Sequence, residues 1–401
     1  MNTVRVLALS IAVVVSPSVL FAQTPAASVS PEDRQLHDRA IVIDTHADTT
    51  QRWMYDPAFD ISVRHADGGI DLPRMREGGL DAVFFSVWMP GTFKGRTAVT
   101  RALAQIEKIR EAARKHAGDL ILATTAADIR RAAAGHKSAA LIGIEGGHMI
   151  NSDLRVLRQF ADLGARYLTL THNENTPWAD ASNDRERHHG LTKFGKDVVR
   201  ELNRLGMMVD VSHVSDKTFY DAIEVSRAPV IASHSSCRAL SDSKRNMTDD
   251  MLRALAKNNG VVMINYAVAF LSEEFRAAPR SRLLVGRDEA VRNKCAADQA
   301  CRNIETERIN HDAMRNGVLP AVTWAAIVDH IDHAVRVAGI DHVGLGSDFD
   351  GATMPLGMED ATGLPKITGA LLKRGYAAQD VEQILGGNIL RVMEAVERAK
   401  S

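Results

Sequence analysis

The stretch Ile41-Val42-Ile43-Asp44-Thr45-His46-Ala47-Asp48 decides how this chain is read. Three apolar β-branched residues run into a His-x-Asp pair, and the hydrophobic run stops at Thr49-Thr50. A buried parallel strand whose carboxyl end carries chemistry has this pattern. Residues i and i+2 of a strand point to the same side, so His46 and Asp48 can grip one ion. A single His-x-Asp pair arises by chance in many proteins. Its weight comes from recurrence of the same arrangement, strand then polar ligand, along the chain.

Apolar runs recur at Ala82–Val87, Ala139–Ile144, Tyr167–Thr171, Met207–Ser212, Pro229–Ser233, Val261–Tyr266 and Val343–Gly346. Amphipathic stretches separate them: Val99–His116, Leu154–Leu163, Phe194–Leu205, Leu252–Lys257 and Val322–Ala338, with a last one at Ala377–Ala399. Gly164, Gly206 and Gly339 sit where helices should stop before the next strand. Eight short apolar strands alternating with helices predict an α/β fold, a (β/α)₈ TIM barrel of the metal-dependent hydrolase type. Extra length falls in a polar loop, Ala181–Leu191, and in a charged insertion, residues 270–320, between the seventh and eighth strands. Both are expected at the carboxyl face of the barrel.

The chain of 401 residues, 45% hydrophobic, is long enough for one large barrel domain, taken as residues 23–401. With 49 basic and 50 acidic residues the formal charge is −1, which gives no electrostatic case for nucleic acid or an anionic membrane. Residues 1–22 read as a secretory signal peptide: Arg5, an apolar run from Val6 to Val15, a break at Ser16-Pro17-Ser18 and a cleavage site after Ala22. An uncleaved anchor is the alternative. Gln23–Glu32 reads as a leader. Export permits disulfides, so Cys295 and Cys301 either pair or, with Cys237, stay as thiols.

The chemistry-bearing residues all follow apolar runs. Glu145 ends the third, within Gly143-Ile144-Glu145-Gly146-Gly147-His148; His172 ends the fourth, His213 the fifth, His234 the sixth and Asp348 the eighth. A barrel gathers these ends into one ring, where active sites of this architecture lie. Imidazole and carboxylate suit zinc, and a carboxylate between two His groups can bridge two ions. Two such ions share a hydroxide and clamp attacking and leaving oxygens, so the expected chemistry is hydrolysis. Asp329-His330-x-Asp332-His333 is also ligand-rich but falls within a predicted helix, where a solvated face is the simpler account. His148 is expected to support the site and Trp178 and Asp180 to shape the pocket floor. Asp210 and Asp350 are read as structural, and His188-His189 as part of a polar loop.

The motifs IDTHAD, GIEGGH, LTHNENTPWADA, VDVSHVS, PVIASHSS, KRNMTDD and GLGSDFDG resemble those of the renal or membrane dipeptidases, zinc peptidases of the M19 type. The resemblance covers essentially the whole mature chain. It implies that His46 and Asp48 hold one zinc, His213 and His234 a second, and that Glu145 bridges them. It further implies that His172 polarises the scissile carbonyl, that Arg245 binds the terminal carboxylate, and that Asp348 exchanges protons with the bridging water and the leaving amine. An exported dipeptidase with two zinc ions follows, acting on dipeptides with a free carboxylate, L,D-dipeptides and dehydropeptides among them. A homodimer is implied as well. The sequence departs from the mammalian members at Asn173-Glu174, and it ends Glu397-Arg398-Ala399-Lys400-Ser401 without a hydrophobic tail, so a soluble periplasmic or secreted enzyme is expected. The rivals are an amidohydrolase of N-acyl amino acids and a non-catalytic extracytoplasmic binding barrel.

Overall fold

The structure, a computed structural model, describes residues 29–279 and 282–400. The expected signal peptide and most of the leader lie outside them. The leader's last two residues open a helix, Pro31–Arg39, whose first turn is capped by Ser30 accepting from the Asp33 amide. Among the described residues nine strands follow: β1 (Ile43–Ala47), β2 (Ala82–Val87), β3 (Leu120–Leu122), β4 (Ser138–Glu145), β5 (Ala165–Thr169), β6 (Met208–Asp210), β7 (Ile231–Ala232), β8 (Val261–Ile264) and β9 (Val343–Leu345). They pair in parallel in the order β1-β2-β4-β5-β6-β7-β8-β9, with β3 attached to β4 off this path. A bridge between Ala47 and Phe349 brings the last strand back to the first, so eight strands make a nearly closed α/β barrel. The TIM-barrel expectation holds. β3, too short to carry a period-2 pattern, is the strand the sequence did not disclose.

Two apolar clusters divide the barrel wall. Ile43, Phe84, Leu141, Tyr167, Ile231 and Met263 alternate with Val83, Phe85, Ile142, Leu168, Ala232 and Val262. The first set packs with Ile389, Val392 and Met393 of the last helix, while the second packs with the intervening helices. The helices stop where glycine permits a positive φ: Gly206 (φ 69) ends Lys193–Leu205 and Gly339 (φ 93) ends Ala325–Ala338. The expected last helix is interrupted, running Ala378–Glu382, then a π turn at Gln383–Gly387, then Asn388–Arg398.

Several strands are shorter than the apolar runs that announce them. β6 stops at Asp210 and β7 at Ala232 because side chains take over from the ladder. Asp210 accepts from the amides of Ser212 (3.0 Å) and Ser233 (2.9 Å) and from the hydroxyls of Thr169 and Ser233. Asp44 does the same between β1 and β9, accepting from the amides of His46 (3.1 Å) and Ser347 (2.8 Å) and from the Ser347 hydroxyl. These two buried carboxylates fix the strand ends from which the site residues project.

Between β8 and β9 the insertion is helical: Val268–Leu271, Glu273–Ala277, Arg282–Cys295 and Gln299–Arg315. Cys295 and Cys301 are joined as a disulfide, and Cys237 is buried with its thiol pushed up to about 12 by burial.

Candidate metal centre

Along β4, Ala139, Leu141, Gly143 and Glu145 share one face of the strand, and that face ends on Glu145 inside the barrel mouth. Its two oxygens face different histidines. Glu145 Oε2 lies 3.4 Å from His46 Nε2 and accepts from the Ser86 hydroxyl at 3.0 Å. Glu145 Oε1 lies 2.9 Å from His213 Nε2, 3.3 Å from His234 Nε2 and 3.6 Å from His172 Nε2. His213 Nε2 and His234 Nε2 are themselves only 2.9 Å apart.

His46 reaches this position by an irregular route. Thr45 donates its hydroxyl to the carbonyl of Ser233 across the barrel, so it faces inward, and a regular strand would turn His46 outward. A register shift between Asp44 and Ala47 turns it back in. β1 ends at Ala47, so His46 and Asp48 meet (Nε2 to Oδ1, 3.6 Å) through this bend, not through the strand alternation expected from sequence. Asp48 is held by its amide, which donates to the Phe349 carbonyl at 2.8 Å.

The arrangement tests well as a cation site. His46 Nε2 and Asp48 Oδ1 are buried without a hydrogen-bond partner, a costly state for polar atoms unless an ion satisfies them. Behind the rings, Tyr167 donates to the Thr45 carbonyl (3.2 Å), which leaves its oxygen to accept from His46 Nδ1 (2.9 Å). Ser233 donates to Asp210 (2.6 Å) and accepts from His234 Nδ1 (2.8 Å). Both relays put the proton on Nδ1 and aim an Nε2 lone pair into the site, as metal-binding histidines require. Burial, then the Arg245 guanidinium and neighbouring rings, hold His213 far below the ordinary imidazole range. Burial, then His46 and Arg245, do the same for His234. Neutral rings are the ligating form. Among the described residues, three overlapping groups have ligand atoms within 4.8 Å of one another: His46–Glu145–His234, Glu145–His172–His213 and His46–Asp48–Asp348.

The other expected residues surround this cluster. His172 accepts from Trp88 Nε1 at 2.9 Å, and burial, followed by Arg245, keeps it neutral. Arg245 is buried; its guanidinium donates to the His234 carbonyl (3.2 Å) and to the Ser235 hydroxyl (3.5 Å) and lies 5.3 Å from the Phe270 ring centroid. Asp249 and Asp250 pair instead with His333 and Arg253, so none of the described ion pairs occupies Arg245. Asp348 accepts from Asn265 at 3.0 Å, and burial, with Asp48 and Glu145 adding to it against His46, pushes it up to about 7. Gly351 completes the cradle, because a Cβ there would sit 2.3 Å from Asp48 Oδ2 and 2.5 Å from Asp348 Oδ1. His213 (φ 68) and Asp348 (φ 68) hold left-handed backbone, a strained state for non-glycine residues that clusters at functional sites.

A cavity of about 410 Å³ joins Asp48, Glu145, His172, His213, Arg245 and Asp348. Asn173 lines it, whereas Glu174 turns away against Gly91. Trp178 and Asp180 are not on the pocket floor. Trp178 packs under Gly147, and Asp180 accepts the amides of Arg187, His188 and Gly190 to shape the polar loop. His148 lies beside Gly146 and is pushed down to about 4 by burial and Lys94. Of the ligand-rich helix, Asp329 and Asp332 pair with Arg374 at the surface. His330, expected on a solvated face, is instead buried between the Cys237 amide and the Leu271 carbonyl. Asp44, Tyr167, Trp88 and Asn265 also support the cluster without standing out in the sequence. Only Asp44 carried a signal, an acid inside a buried strand two residues before His46.

A parallel barrel with histidines and carboxylates converging at its carboxyl mouth defines a metal-binding α/β barrel. A model of the membrane dipeptidase family, peptidase family M19, matches residues 31–401, and the chain belongs to that family. It is 36% identical to Dipeptidase 3 of Rattus norvegicus over 340 residues, 83% of this chain and 59% of that protein. To Dipeptidase 3 of Homo sapiens it is 35% identical over 370 residues, 90% and 66% of the respective chains. The chain therefore spans less than two thirds of the length of these relatives. Among solved structures it resembles dipeptidase AC, a metallopeptidase of family M19, at 29% identity and TM-score 0.74, covering 89% of this chain and 98% of the other. It also resembles a metallopeptidase from Rhodobacter sphaeroides liganded with a phosphinate mimic of L-Ala-D-Ala, at 28% identity and TM-score 0.73, covering 89% and 99%.

Proposed function

We propose that the chain is an exported dipeptidase that holds two zinc ions and cleaves dipeptides with a free carboxylate, L,D-dipeptides included. The observation that carries this is Glu145, whose two oxygens face His46 on one side and His213 with His234 on the other. His46 and Asp48 would hold one ion and His213 and His234 the second, with Glu145 shared between them. Ions bound there lower the pKa of water and polarise a carbonyl, which is what peptide hydrolysis at neutral pH needs. Arg245, buried and without a carboxylate partner among the described ion pairs, takes the substrate's terminal carboxylate. His172, steadied by Trp88, donates to the developing oxyanion, and Asp348, held by Asn265, passes the proton to the leaving amine. The phosphinate bound by the Rhodobacter sphaeroides relative supports an L,D-dipeptide as substrate.

Export rests on the residue 1–22 pattern and fits the Cys295–Cys301 disulfide. No helix among the described residues is long and apolar enough to cross a membrane. A homodimer is carried over from the family resemblance, and sedimentation of the mature chain tests it. The function is tested by zinc content together with hydrolysis of L-Ala-D-Ala and N-acetyl-alanine, with and without chelator. Chelator-sensitive dipeptide turnover is expected. Preferential deacylation would make the chain an N-acyl amino acid amidohydrolase, and no turnover with metal bound would make it a binding barrel.

A further inference from the structure

The insertion helix Gln299–Arg315 is bonded along its length to the segment that follows Asp348. Asn303 Nδ2 donates to the Asp350 carbonyl (2.7 Å), Glu307 accepts from the Met354 amide (3.1 Å), Asn310 Nδ2 donates to the Thr353 hydroxyl (2.8 Å) and His311 Nε2 meets the Met354 carbonyl (2.8 Å). Its first turn is fixed by Asp298, which accepts from the Cys301 amide, and by the disulfide to Cys295. Gln299, Asn303 and Asn310 fall within about 40° of one another on the helix at 100° per residue. All three line the cavity that holds Glu145, Arg245 and Asp348. Gln299 Nε2 also donates to Asn303 Oδ1 (2.8 Å), which links two of the three amides on this polar face.

We propose that this amide face selects the N-terminal residue of the dipeptide, favouring a hydrogen-bonding side chain over an aliphatic one of the same shape. The inference rests on the dipeptidase reading. Arg245 belongs to the segment after β7, whereas the helix sits on the segment after β9, beside Asp48 and Asp348. A dipeptide with its carboxylate on Arg245 and its carbonyl at Glu145 and His172 leaves the Gln299–Asn303–Asn310 lining of the same cavity for its amino-terminal residue. There an aliphatic side chain would desolvate amides without pairing them, whereas an amide or hydroxyl side chain replaces the water they lose.

The test compares kcat/KM of the zinc-loaded full chain on L-Asn-D-Ala and L-Leu-D-Ala, which are nearly isosteric, and on L-Ala-D-Asn and L-Ala-D-Leu. The parent should prefer Asn over Leu at the N-terminal position by about tenfold or more. Asn310→Leu and Gln299→Met should each carry that ratio toward one and leave the C-terminal pair's ratio unchanged. Each ratio is taken within one protein preparation, so a loss of folded enzyme cancels. Unchanged N-terminal ratios with dipeptides still turned over, or a change confined to the C-terminal pair, would overturn the amide face alone. No turnover of any of the four by metal-loaded protein would overturn the dipeptidase reading and the amide face with it.

Discussion

At the scale of single residues, the candidate ligands are set by groups one step behind them. Tyr167 fixes the His46 tautomer through a 2.9 Å contact, and its ring crosses Gly143, where a Cβ would lie 2.0 Å from Tyr167 Cζ. Tyr167→Phe removes only the hydroxyl and should weaken zinc binding by about 10–100-fold with little effect on melting. Competition with a chromogenic chelator measures this, and unchanged affinity would show that the hydroxyl does not steer His46. Arg245→Ala should raise KM for free-carboxylate dipeptides by about tenfold or more. The same dipeptides as C-terminal amides should show much smaller change, and an equal loss on both would remove Arg245 from carboxylate recognition. The histidines and carboxylates that gather at the barrel mouth were legible in sequence because they follow the ends of apolar runs. Tyr167, Trp88 and Asn265 were not, since their roles depend on neighbours 121, 84 and 83 residues distant.

At the scale of elements, eight strands were legible from alternation and glycine stops, while their ends were not. Asp210 captures the Ser212 and Ser233 amides where β6 and β7 stop, and Asp44 captures those of His46 and of Ser347 just beyond β9, contacts that no local pattern encodes. The insertion was legible only as charged and helical, and its place over the site came from hydrogen bonds to residues 350–354. One of those bonds has a pH signature. Burial, followed by nearby Asp350, Glu359 and Asp360, pushes Glu307 from its ordinary 4.5 to about 8, against the Met354 amide bond. Between these values the unfolded chain has released a proton that the folded chain keeps, so this group lowers stability as pH rises from about 4.5 to about 8. Glu307→Gln keeps an acceptor for the Met354 amide and removes that dependence. Its melting temperature relative to the parent should therefore climb between pH 5 and pH 9, and parallel curves would contradict the assignment.

At the scale of the whole molecule, the barrel supplies a preformed cluster of imidazoles and close carboxylates that is poorly satisfied by protein atoms alone. Ions that bind the folded chain and not the unfolded one stabilise it by mass action. Stripping metal should lower the melting temperature by several degrees, and zinc should restore it, as followed by calorimetry. A melting temperature indifferent to chelator would argue against a resident ion. Glu145 is proposed to join two such ions into one centre. Counting zinc per chain by inductively coupled plasma mass spectrometry, in the parent and in Glu145→Gln, tests it most directly. Two zinc ions per parent chain are expected, with the variant weakened at both positions and inactive on L-Ala-D-Ala. A variant that keeps both ions and wild-type turnover would contradict that role for Glu145.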